Sequence, residues 1–525
     1  IERSAGRTRF QMMNLIYPAA AEASLLHAAK KAQKRLQECL NETIPLLSDA
    51  VAEPGKGDIL LGNTRFPESA ALAAELRYYD YGRQMTGGML AVTGGYPGAA
   101  VQAIDALGQQ GCRTLREIFA DVRTPFSYRF VQCILNGRPL EHYRIVYPSN
   151  SGHIWELLAK SLNARLCRLW GRRLELVSDA EPGRAPELLL GQTNRTPRPI
   201  KNPIAQHDEG VVLSRPGGVV LWGSSPAGVA QAIREWLRQL EQAPKEADGQ
   251  ANAELPDVLL AKPDNRLTVF SQNILYNEIH PDRASRLMQV ILNETPDVFG
   301  IQEGTEKWMP CLLPTLKELY GTVGDEPYLA ANSNEFVTVF YNRYRFYLLD
   351  SGTKWLSDTP DVPNSKYEAS SLVRIFSYAV LKRRWDGTIF IYANTHFDHC
   401  GGQEQQARKL AELLDDLSHK WGNCPVFATG DYNQYDTWPS YRRLIACGYT
   451  DAGKAAQVRE NAQKTVFTQL FERLQPDAEP TEATIDYCFT KNVPAGDILL
   501  YRVERDLIDG DDPSDHYGVY FEFQL

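Results

Sequence analysis

Short apolar runs alternate with amphipathic stretches along the whole chain, and this pattern predicts a mixed α/β protein. Residues 267–275 and 345–357 alternate apolar and polar side chains as strands do, whereas residues 282–294 and 404–421 repeat their apolar positions at helical spacing. Segments 335–342, 345–357 and 374–384 are typical of successive strands in an antiparallel meander. We therefore predict layers of sheet and helix in which two sheets stack.

The front half contains a weak internal repeat. Three landmarks recur in the same order: LIYP (15–18) and IVYP (145–148), DILLGNTR (58–65) and ELLLGQTNR (187–195), TGGMLAVTGGYPG (86–98) and RPGGVVLWGSSPAG (215–228). They predict two small duplicated α/β domains, 1–130 and 131–242, a polar linker at 243–263 and a third domain at 264–525. The LLGNT and LLGQT strings favour buried strand ends over ligand-holding turns, because no paired carboxylates accompany them.

Composition narrows the class of protein. The chain is 43% hydrophobic and 23% charged, and it has no apolar run of the roughly 20 residues that a membrane span requires. Its nine cysteines include no CxxC pair, which argues against a zinc ribbon. Lys and Arg number 31 against 27 Asp and Glu in residues 1–263, but 25 against 38 in residues 264–525. An acidic second half disfavours a protein that tracks long nucleic acid.

The N-terminal sequence IERSAG lacks both an initiator Met and an apolar signal core. We expect that whatever preceded Ile1 has been removed. On that basis we expect a secreted or cell-envelope bacterial protein, with the cytoplasm as the alternative.

Polar and ionisable residues in the second half stand where predicted strands end. Strand ends meet at the edges of sheets, so we expect these side chains to gather at one edge, where carboxylates, carboxamides and imidazoles together suit attack on a phosphate. Asp431 and Asn433, two apart on an extended segment, point the same way. The candidate residues are Asn273, Glu303, His396, Asp431, Asn433, Asp486, Asp515 and His516.

The strings that carry these residues resemble the endonuclease/exonuclease/phosphatase superfamily, whose fold is that of pancreatic deoxyribonuclease. QN (272–273), QE (302–303), NTHFDH (394–399), GDYN (430–433), DY (486–487) and SDH (514–516) follow the family order. The resemblance implies a four-layered α/β sandwich of two packed β-sheets flanked by helices. It also implies a phosphoester hydrolase dependent on Mg²⁺, or on Mn²⁺ in its place, with a phosphodiesterase as the first expectation.

The same resemblance assigns roles to the candidate residues. Glu303 would bind the metal with Asn273 and Asp515, Asp431 would activate the attacking water, and Asn433 would hold a phosphate oxygen. His516, held by Asp486, would donate to the phosphoryl group, and His396 would contact the non-bridging oxygens or assist the leaving group. A His at 396, where abasic-site endonucleases place a Tyr, points to the nuclease, sphingomyelinase and phosphatase branches. Arg374, Asp398 and His399 stay open between a functional and a structural role.

The front repeats resemble the non-catalytic α/β domain that precedes the barrel of β-hexosaminidase-type glycoside hydrolases, which implies an accessory role with carbohydrate contact. The expected substrate is a phosphoester in nucleic acid, a phospholipid headgroup or a phosphorylated glycan. Loops 304–334, 357–373 and 451–482 are expected to wall the site, and their few basic residues favour a small or polar-neutral substrate.

Two alternatives remain at this point. NTHFDH also resembles the HxHxDH string of zinc hydrolases of the metallo-β-lactamase type, although Asn394 replaces the first His. The second alternative is a catalytically inactive binding or scaffold protein of the same fold.

Overall fold

A computed structural model describes residues 13–107, 115–196, 207–324, 335–462, 464–466, 468–474, 484–508 and 510–525. The chain forms two compact units. The first comprises Ile1–Arg129, Leu166–Arg173 and Asp506–Asp512, and the second comprises Phe130–Arg165, Leu174–Arg505 and Pro513–Leu525. No helix in these described ranges is long and apolar enough to span a membrane.

The first unit is built on one six-stranded sheet in the order β2-β1-β3-β5-β4-β6. The first four of these strands are parallel, and β4 and β5 form an antiparallel hairpin. Helix α1 buries Ala28, Ala29, Ala32 and Leu36, a helical spacing that gives one apolar face to the core. The elements are β1 (Leu15–Tyr17), α1 (Ala23–Leu40), β2 (Leu46–Ser48), β3 (Ile59–Leu61), α2 (Pro67–Glu75), β4 (Tyr81–Thr86), β5 (Met89–Gly94), α3 (Pro97–Asp105), α4 (Leu115–Ile118) and β6 (Val122–Thr124).

The second unit begins with a sheet of the same strand order, β10-β9-β11-β13-β12-β15. The paired landmarks of the sequence repeat occupy equivalent strands in the two sheets. The elements of this part of the chain are β7 (Gln132–Leu135), β8 (Arg138–Pro139), β9 (Arg144–Tyr147), α5 (Ile154–Trp170, of which the residues from Leu166 belong to the first unit), β10 (Glu175–Ser178), β11 (Glu187–Leu190), β12 (Gly210–Arg215), β13 (Gly218–Gly223), α6 (Pro226–Gln242), β14 (Gln250–Ala253) and β15 (Val258–Ala261).

One carboxylate ties the strand ends together in each repeat. Asp49 accepts hydrogen bonds from the backbone N–H groups of Ala19 (2.8 Å) and Arg65 (2.7 Å). Asp179 does the same in the second repeat, with Ser149 N–H at 2.9 Å and Asn194 N–H at 2.8 Å. The turns after LLG are therefore held by internal hydrogen bonds.

The segment 243–263, for which the sequence predicts a linker, is part of the folded second unit. β14 pairs in parallel with β7, and β15 pairs antiparallel with β12. Ala251, Ala253 and Ala261 are buried. The strands are only four residues each and the partner of β14 lies more than a hundred residues earlier, so local periodicity does not reveal them.

The rest of the second unit is a sandwich of two mixed sheets. Their orders are β18-β19-β17-β16-β28-β27-β25 and β20-β21-β22-β23-β26-β24. The elements are β16 (Arg266–Asn273), α7 (Pro281–Glu294), β17 (Val298–Gln302), α8 (Met309–Leu316), β18 (Tyr320–Val323), β19 (Val339–Asn342), β20 (Phe346–Trp355), β21 (Ile375–Arg383), β22 (Ile389–His396), α9 (Gln403–Lys420), β23 (Val426–Asp431), α10 (Pro439–Ala446), β24 (Thr450–Asp451), α11 (Ala452–Ala455), β25 (Val458–Glu460), α12 (Gln469–Leu474), β26 (Asp486–Lys491), β27 (Ile498–Glu504) and β28 (Gly518–Gln524).

The core between the two sheets is aromatic and aliphatic. Val269 and Phe521 from the first sheet and Phe390, Tyr392 and Phe427 from the second belong to one buried cluster. The predicted meander of 335–342, 345–357 and 374–384 is corrected here. β19 pairs with β17 and β18 in the first sheet, while β20 and β21 belong to the second, because the turn at 343–345 carries the chain from one sheet to the other.

Strand register gathers the candidate residues at one edge. Asn273 pairs with Gln302, the residue before Glu303. In the second sheet His396 pairs with Asp431, and Asp431 pairs with Asp486. Three neighbouring strands thus end side by side on polar groups, and stacking of the two sheets brings both sets together.

Candidate active site

The centre of the site is a carboxamide held between two carboxylates. The amide nitrogen of Asn273 donates to Glu303 Oε1 at 2.9 Å and to Asp431 Oδ2 at 3.0 Å. Its oxygen accepts the backbone N–H of Leu275 at 3.0 Å. The contacts of Asn273 therefore differ from those of the predicted metal ligand, because its donor and not its oxygen faces Glu303.

Glu303 is positioned by an unusual backbone. Its φ is +62°, the left-handed region that a non-glycine residue rarely occupies. Its second oxygen accepts the N–H of Tyr276 at 2.9 Å. Burial, together with repulsion from the Asp515 carboxylate, raises the pKa of Glu303.

These acids fit a hard cation. No Lys or Arg in the described part of the chain forms an ion pair with Glu303 or Asp515. Two neighbouring carboxylates without a cationic partner repel each other, and oxygen donors of this kind are those that Mg²⁺ and Mn²⁺ prefer. The donor chemistry therefore agrees with the predicted metal at Glu303 and Asp515.

His516 and Asp486 form a tight pair next to Asp431. His516 Nδ1 lies 3.0 Å from Asp486 Oδ2, and His516 Nε2 lies 3.7 Å from Asp431 Oδ2. Burial by itself lowers the pKa of His516, but the carboxylates of Asp486 and Asp431 outweigh it and hold that pKa well above its ordinary value. Burial raises the pKa of Asp431 to about 6, although His516 opposes the shift.

Asn433 and His396 close the other side of Asp431. The backbone N–H of Asn433 donates to Asp431 Oδ1 at 2.9 Å, and its side-chain nitrogen lies 3.0 Å from the carbonyl oxygen of Phe397 and 3.1 Å from His396 Nε2. His396 Nε2 is 3.4 Å from Asp431 Oδ2. Two imidazoles thus flank one carboxylate oxygen. These contacts join all the candidate residues except Asp515. The carboxylate of Asp515 acts electrostatically on Glu303, and it contacts the Ser514 hydroxyl at 3.2 Å.

Two further residues join the site that the sequence did not assign to it. Arg374 Nη1 is 3.1 Å from His396 Nδ1 and 3.0 Å from Glu335 Oε2. A guanidinium has no acceptor, so Arg374 donates to Nδ1. The neutral ring then carries its proton on Nε2, which faces Asp431 Oδ2, and the approach of the Asn433 amide nitrogen to Nε2 is a contact without a hydrogen bond. Burial, aided by the charges of Arg374 and His516, lowers the pKa of His396 well below its ordinary value. The buried Arg374, whose role the sequence left open, therefore contacts a candidate residue of the site.

Asn394 and Asp398 of the NTHFDH string are held in internal hydrogen bonds. Asn394 is buried, with its nitrogen 2.7 Å from the carbonyl of Ile301 and its oxygen 2.6 Å from Gln302 Nε2. Asp398 accepts the N–H groups of Leu372 (2.6 Å) and Cys400 (2.8 Å), and it holds the loop that follows β22. His399 is exposed and groups with Asp398 and Cys400, whereas His396 groups with Glu303 and Asp431. The two imidazoles of the string therefore do not converge on one ion, as a zinc hydrolase of the metallo-β-lactamase type would require.

Exposed aromatic side chains follow two of the strands that carry candidate residues. Tyr276, Tyr435 and Trp438 have 48%, 38% and 37% of their surface exposed, and the rings of Tyr435 and Trp438 lie edge to face at 5.2 Å. A cavity of about 290 Å³ lies beside Tyr435, lined also by Asp436, Lys454, Arg459, Thr484 and Asp486. Of the loops predicted to wall the site, 357–373 is described, whereas 325–334 and much of 463–482 lie outside the described residues.

Two stacked mixed sheets that deliver buried carboxylates and imidazoles to one edge define a phosphoester hydrolase of the DNase I-like fold. Comparison with known families agrees: residues 270–516 match the model of the Endonuclease/Exonuclease/phosphatase family. This part of the chain is therefore similar to that family, whose members hydrolyse phosphoesters. No curated protein matches the chain.

Several solved structures are similar to the same half of the chain. The endonuclease/exonuclease/phosphatase from Bacteroides vulgatus is 26% identical, with a TM-score of 0.43, and the match covers 50% of this chain and 99% of that one. A mannosyl-6-phosphatase from Bacteroides thetaiotaomicron is also 26% identical, with a TM-score of 0.41 and coverage of 49% and 98%. TDP2 from D. rerio, in complex with a single-strand DNA product, is 18% identical, with a TM-score of 0.39 and coverage of 50% and 100%.

Proposed function

We propose that the C-terminal domain is a divalent-metal-dependent phosphoester hydrolase that acts first on phosphodiesters. The observation that carries the proposal is the group around Asp431 Oδ2. The amide nitrogen of Asn273 lies at 3.0 Å from this oxygen, and the Nε2 atoms of His396 and His516 lie at 3.4 and 3.7 Å. A carboxylate held by three polar groups at the rim of a metal site is suited to orienting and deprotonating a water.

Each residue of the site has a role in this proposal. Glu303 and Asp515 hold the cation, which when bound supplies positive charge to the phosphate. Asp431 takes the proton of the attacking water, and Asn433 orients a phosphate oxygen. His516 donates a hydrogen bond to the phosphoryl group, with Asp486 fixing its ring. His396, neutral and protonated on Nε2, donates to a non-bridging oxygen. Asn273 orients Glu303 and Asp431 in place of binding the metal.

A diester is favoured by the charge of the site. It carries one negative charge where a monoester carries two, and Arg374, the guanidinium seen at the site in the described residues, is already bound to Glu335. Exposed aromatic rings at the rim would contact an organic substituent on the phosphate. The front repeats enter the proposal as accessory domains only, because Asp49 and Asp179 are used in internal hydrogen bonds.

The proposal is tested with a panel of phosphoesters. We expect the metal-free protein to be inactive, and Mg²⁺ or Mn²⁺ to restore cleavage of bis-p-nitrophenyl phosphate in preference to p-nitrophenyl phosphate. Zn²⁺ should not replace them. Faster cleavage of the monoester would overturn the diester preference, and no cleavage of either ester with any of the metals would favour the inactive binding protein.

The aromatic rim gives a second expectation. Tyr435→Ala should raise KM for bis-p-nitrophenyl phosphate by about 2- to 10-fold with kcat little changed, because an aromatic contact of this kind is worth roughly 0.5–1.5 kcal/mol of binding. Tyr347→Ala is the matched control, since Tyr347 is also an exposed tyrosine but stands near the start of β20. Steady-state kinetics decide the matter, and equal KM values in the two variants would exclude Tyr435 from substrate contact.

A further inference from the structure

A buried arginine next to the proposed metal site binds backbone carbonyl groups. Arg283, on α7, is 2% exposed, and it forms no ion pair within the described part of the chain. The hydrogen bonds that its guanidinium makes to those residues all go to backbone carbonyl oxygens. Nε bonds to Pro513 O at 2.7 Å and Nη1 to Asn277 O at 2.8 Å, with Leu275 O and Glu278 O at 3.3 Å from Nη1 and Ile274 O bonded to Nη2.

The carbonyl groups belong to the two segments that carry the proposed metal-binding residues. Residues 274–278 follow Asn273 and contain Tyr276, whose N–H binds Glu303. Pro513 precedes Ser514, whose hydroxyl lies 2.7 Å from the carbonyl of Asn273 and 3.2 Å from Asp515 Oδ1. One guanidinium therefore binds both segments, and the two approach each other at the site.

The loop that Arg283 binds is conformationally costly. Leu275 and Glu278 have φ values of +57° and +53°, which L-residues adopt only when their surroundings impose them. The indole N–H of Trp308 donates to Leu275 O at 3.0 Å, and the guanidinium of Arg283 lies 4.8 Å from the Trp308 ring centroid. Arg283 and Trp308 together supply the donors that hold this backbone in place.

Burial of a charge without a paired anion is itself unfavourable. Burial lowers the pKa of Arg283 to about 10, while Asp515 acts in the opposite direction, so the side chain is still charged at neutral pH. Packing alone would be served better by an apolar side chain of similar size. An apolar residue could not replace the N–H donors that the planar guanidinium of Arg283 holds in a fixed geometry.

We propose that Arg283 is a positioning residue for the metal site, which holds the 274–278 loop and the 513–515 segment so that Glu303 and Asp515 converge on one cation. It does not touch substrate. The inference rests on the proposed function in so far as Glu303 and Asp515 bind the metal. It concerns the affinity for that metal and not the chemistry that follows.

The test measures the Mn²⁺ dissociation constant of the full chain by electron paramagnetic resonance, alongside the Tm. Arg283→Met and Arg283→Lys should weaken Mn²⁺ binding by about 10- to 100-fold, the range found when residues behind metal ligands are replaced. Arg345→Lys is the matched control. Arg345 is a buried arginine that also binds backbone carbonyls, those of Asp264 and Arg266, near the start of β16, so it should lower the Tm and leave Mn²⁺ binding unchanged.

Each outcome separates the two proposals. If the parent protein binds Mn²⁺ and the Arg283 variants bind it equally well, the positioning role is excluded. If the parent protein itself binds no Mn²⁺, the proposed metal site at Glu303 and Asp515 is excluded, and the role of Arg283 is excluded with it. If the Arg283→Met variant does not fold, the Mn²⁺ dissociation constants of the Arg283→Lys and Trp308→Phe variants test the positioning role instead. Trp308→Phe removes the indole donor to Leu275 and should weaken Mn²⁺ binding by a smaller factor, and unchanged binding in both would likewise exclude the role.

Discussion

Asp431→Asn lowers kcat for bis-p-nitrophenyl phosphate by about 10²- to 10⁴-fold, the range that a positioned general base contributes. The single amide oxygen can still accept the N–H of Asn433, but the amide nitrogen then stands in the place of Oδ2 and cannot accept from Asn273. The amide also cannot take a proton from water. The expected result is therefore a loss in kcat and kcat/KM, and the Tm is measured alongside to show that the variant is folded.

Asp350→Asn is the matched control for this prediction. Asp350 lies on β20, outside the cavity beside Tyr435, and pairs at 2.7 Å with the exposed Lys420. Its replacement should alter kcat by less than about twofold, since surface pairs contribute little. An Asp431→Asn variant that keeps more than a tenth of the parent kcat would show, against the ~10²-fold minimum expected of a general base, that another group activates the water.

Arg345→Met lowers the free energy of unfolding by about 3–5 kcal/mol, because it leaves a buried carboxylate without its partner. Arg345 Nη1 lies 2.7 Å from Asp297 Oδ1, and both side chains are almost wholly buried. The same guanidinium donates to the carbonyl groups of Asp264 and Arg266 at 2.6 and 2.7 Å, so several partners are lost together. Urea unfolding followed by intrinsic fluorescence measures the loss.

The control for the stability prediction is Arg266→Met. Arg266 is an exposed residue that forms a surface pair with Glu522 at 3.2 Å. Such pairs are worth about 0–1 kcal/mol. Similar urea midpoints for the two variants would contradict the importance of the buried pair.

The sequence predicted the site residues that belong to short sequence motifs. Glu303, Asp431 and His516 each follow or precede a short apolar run, and strand alternation places them at one edge without any knowledge of the fold. Arg374 and Glu335 could not be found in this way. They meet His396 only because a loop before β19 and a residue before β21 are brought together by pairing across two sheets.

Two features of the site depend on backbone groups. Arg283, which belongs to no motif, lies on an amphipathic helix, and its guanidinium is directed inward to backbone carbonyl groups. Asn273 was placed correctly at the strand end, but which of its amide atoms faces Glu303 depends on the N–H of Leu275. In both cases the deciding partner is a backbone group, whose direction cannot be read from residue identity.

The strands at 250–253 and 258–261 have a consequence for how this protein can be divided. A protease or a genetic truncation that separates the chain at about residue 245 would remove β14 from β7 and β15 from β12. The N-terminal fragment would then expose two unpaired strand edges, the kind of surface through which chains self-associate. The polar stretch at 243–263 therefore contributes two strands to the fold that precedes it. A fragment that ends beyond Ala261 retains both strand pairings.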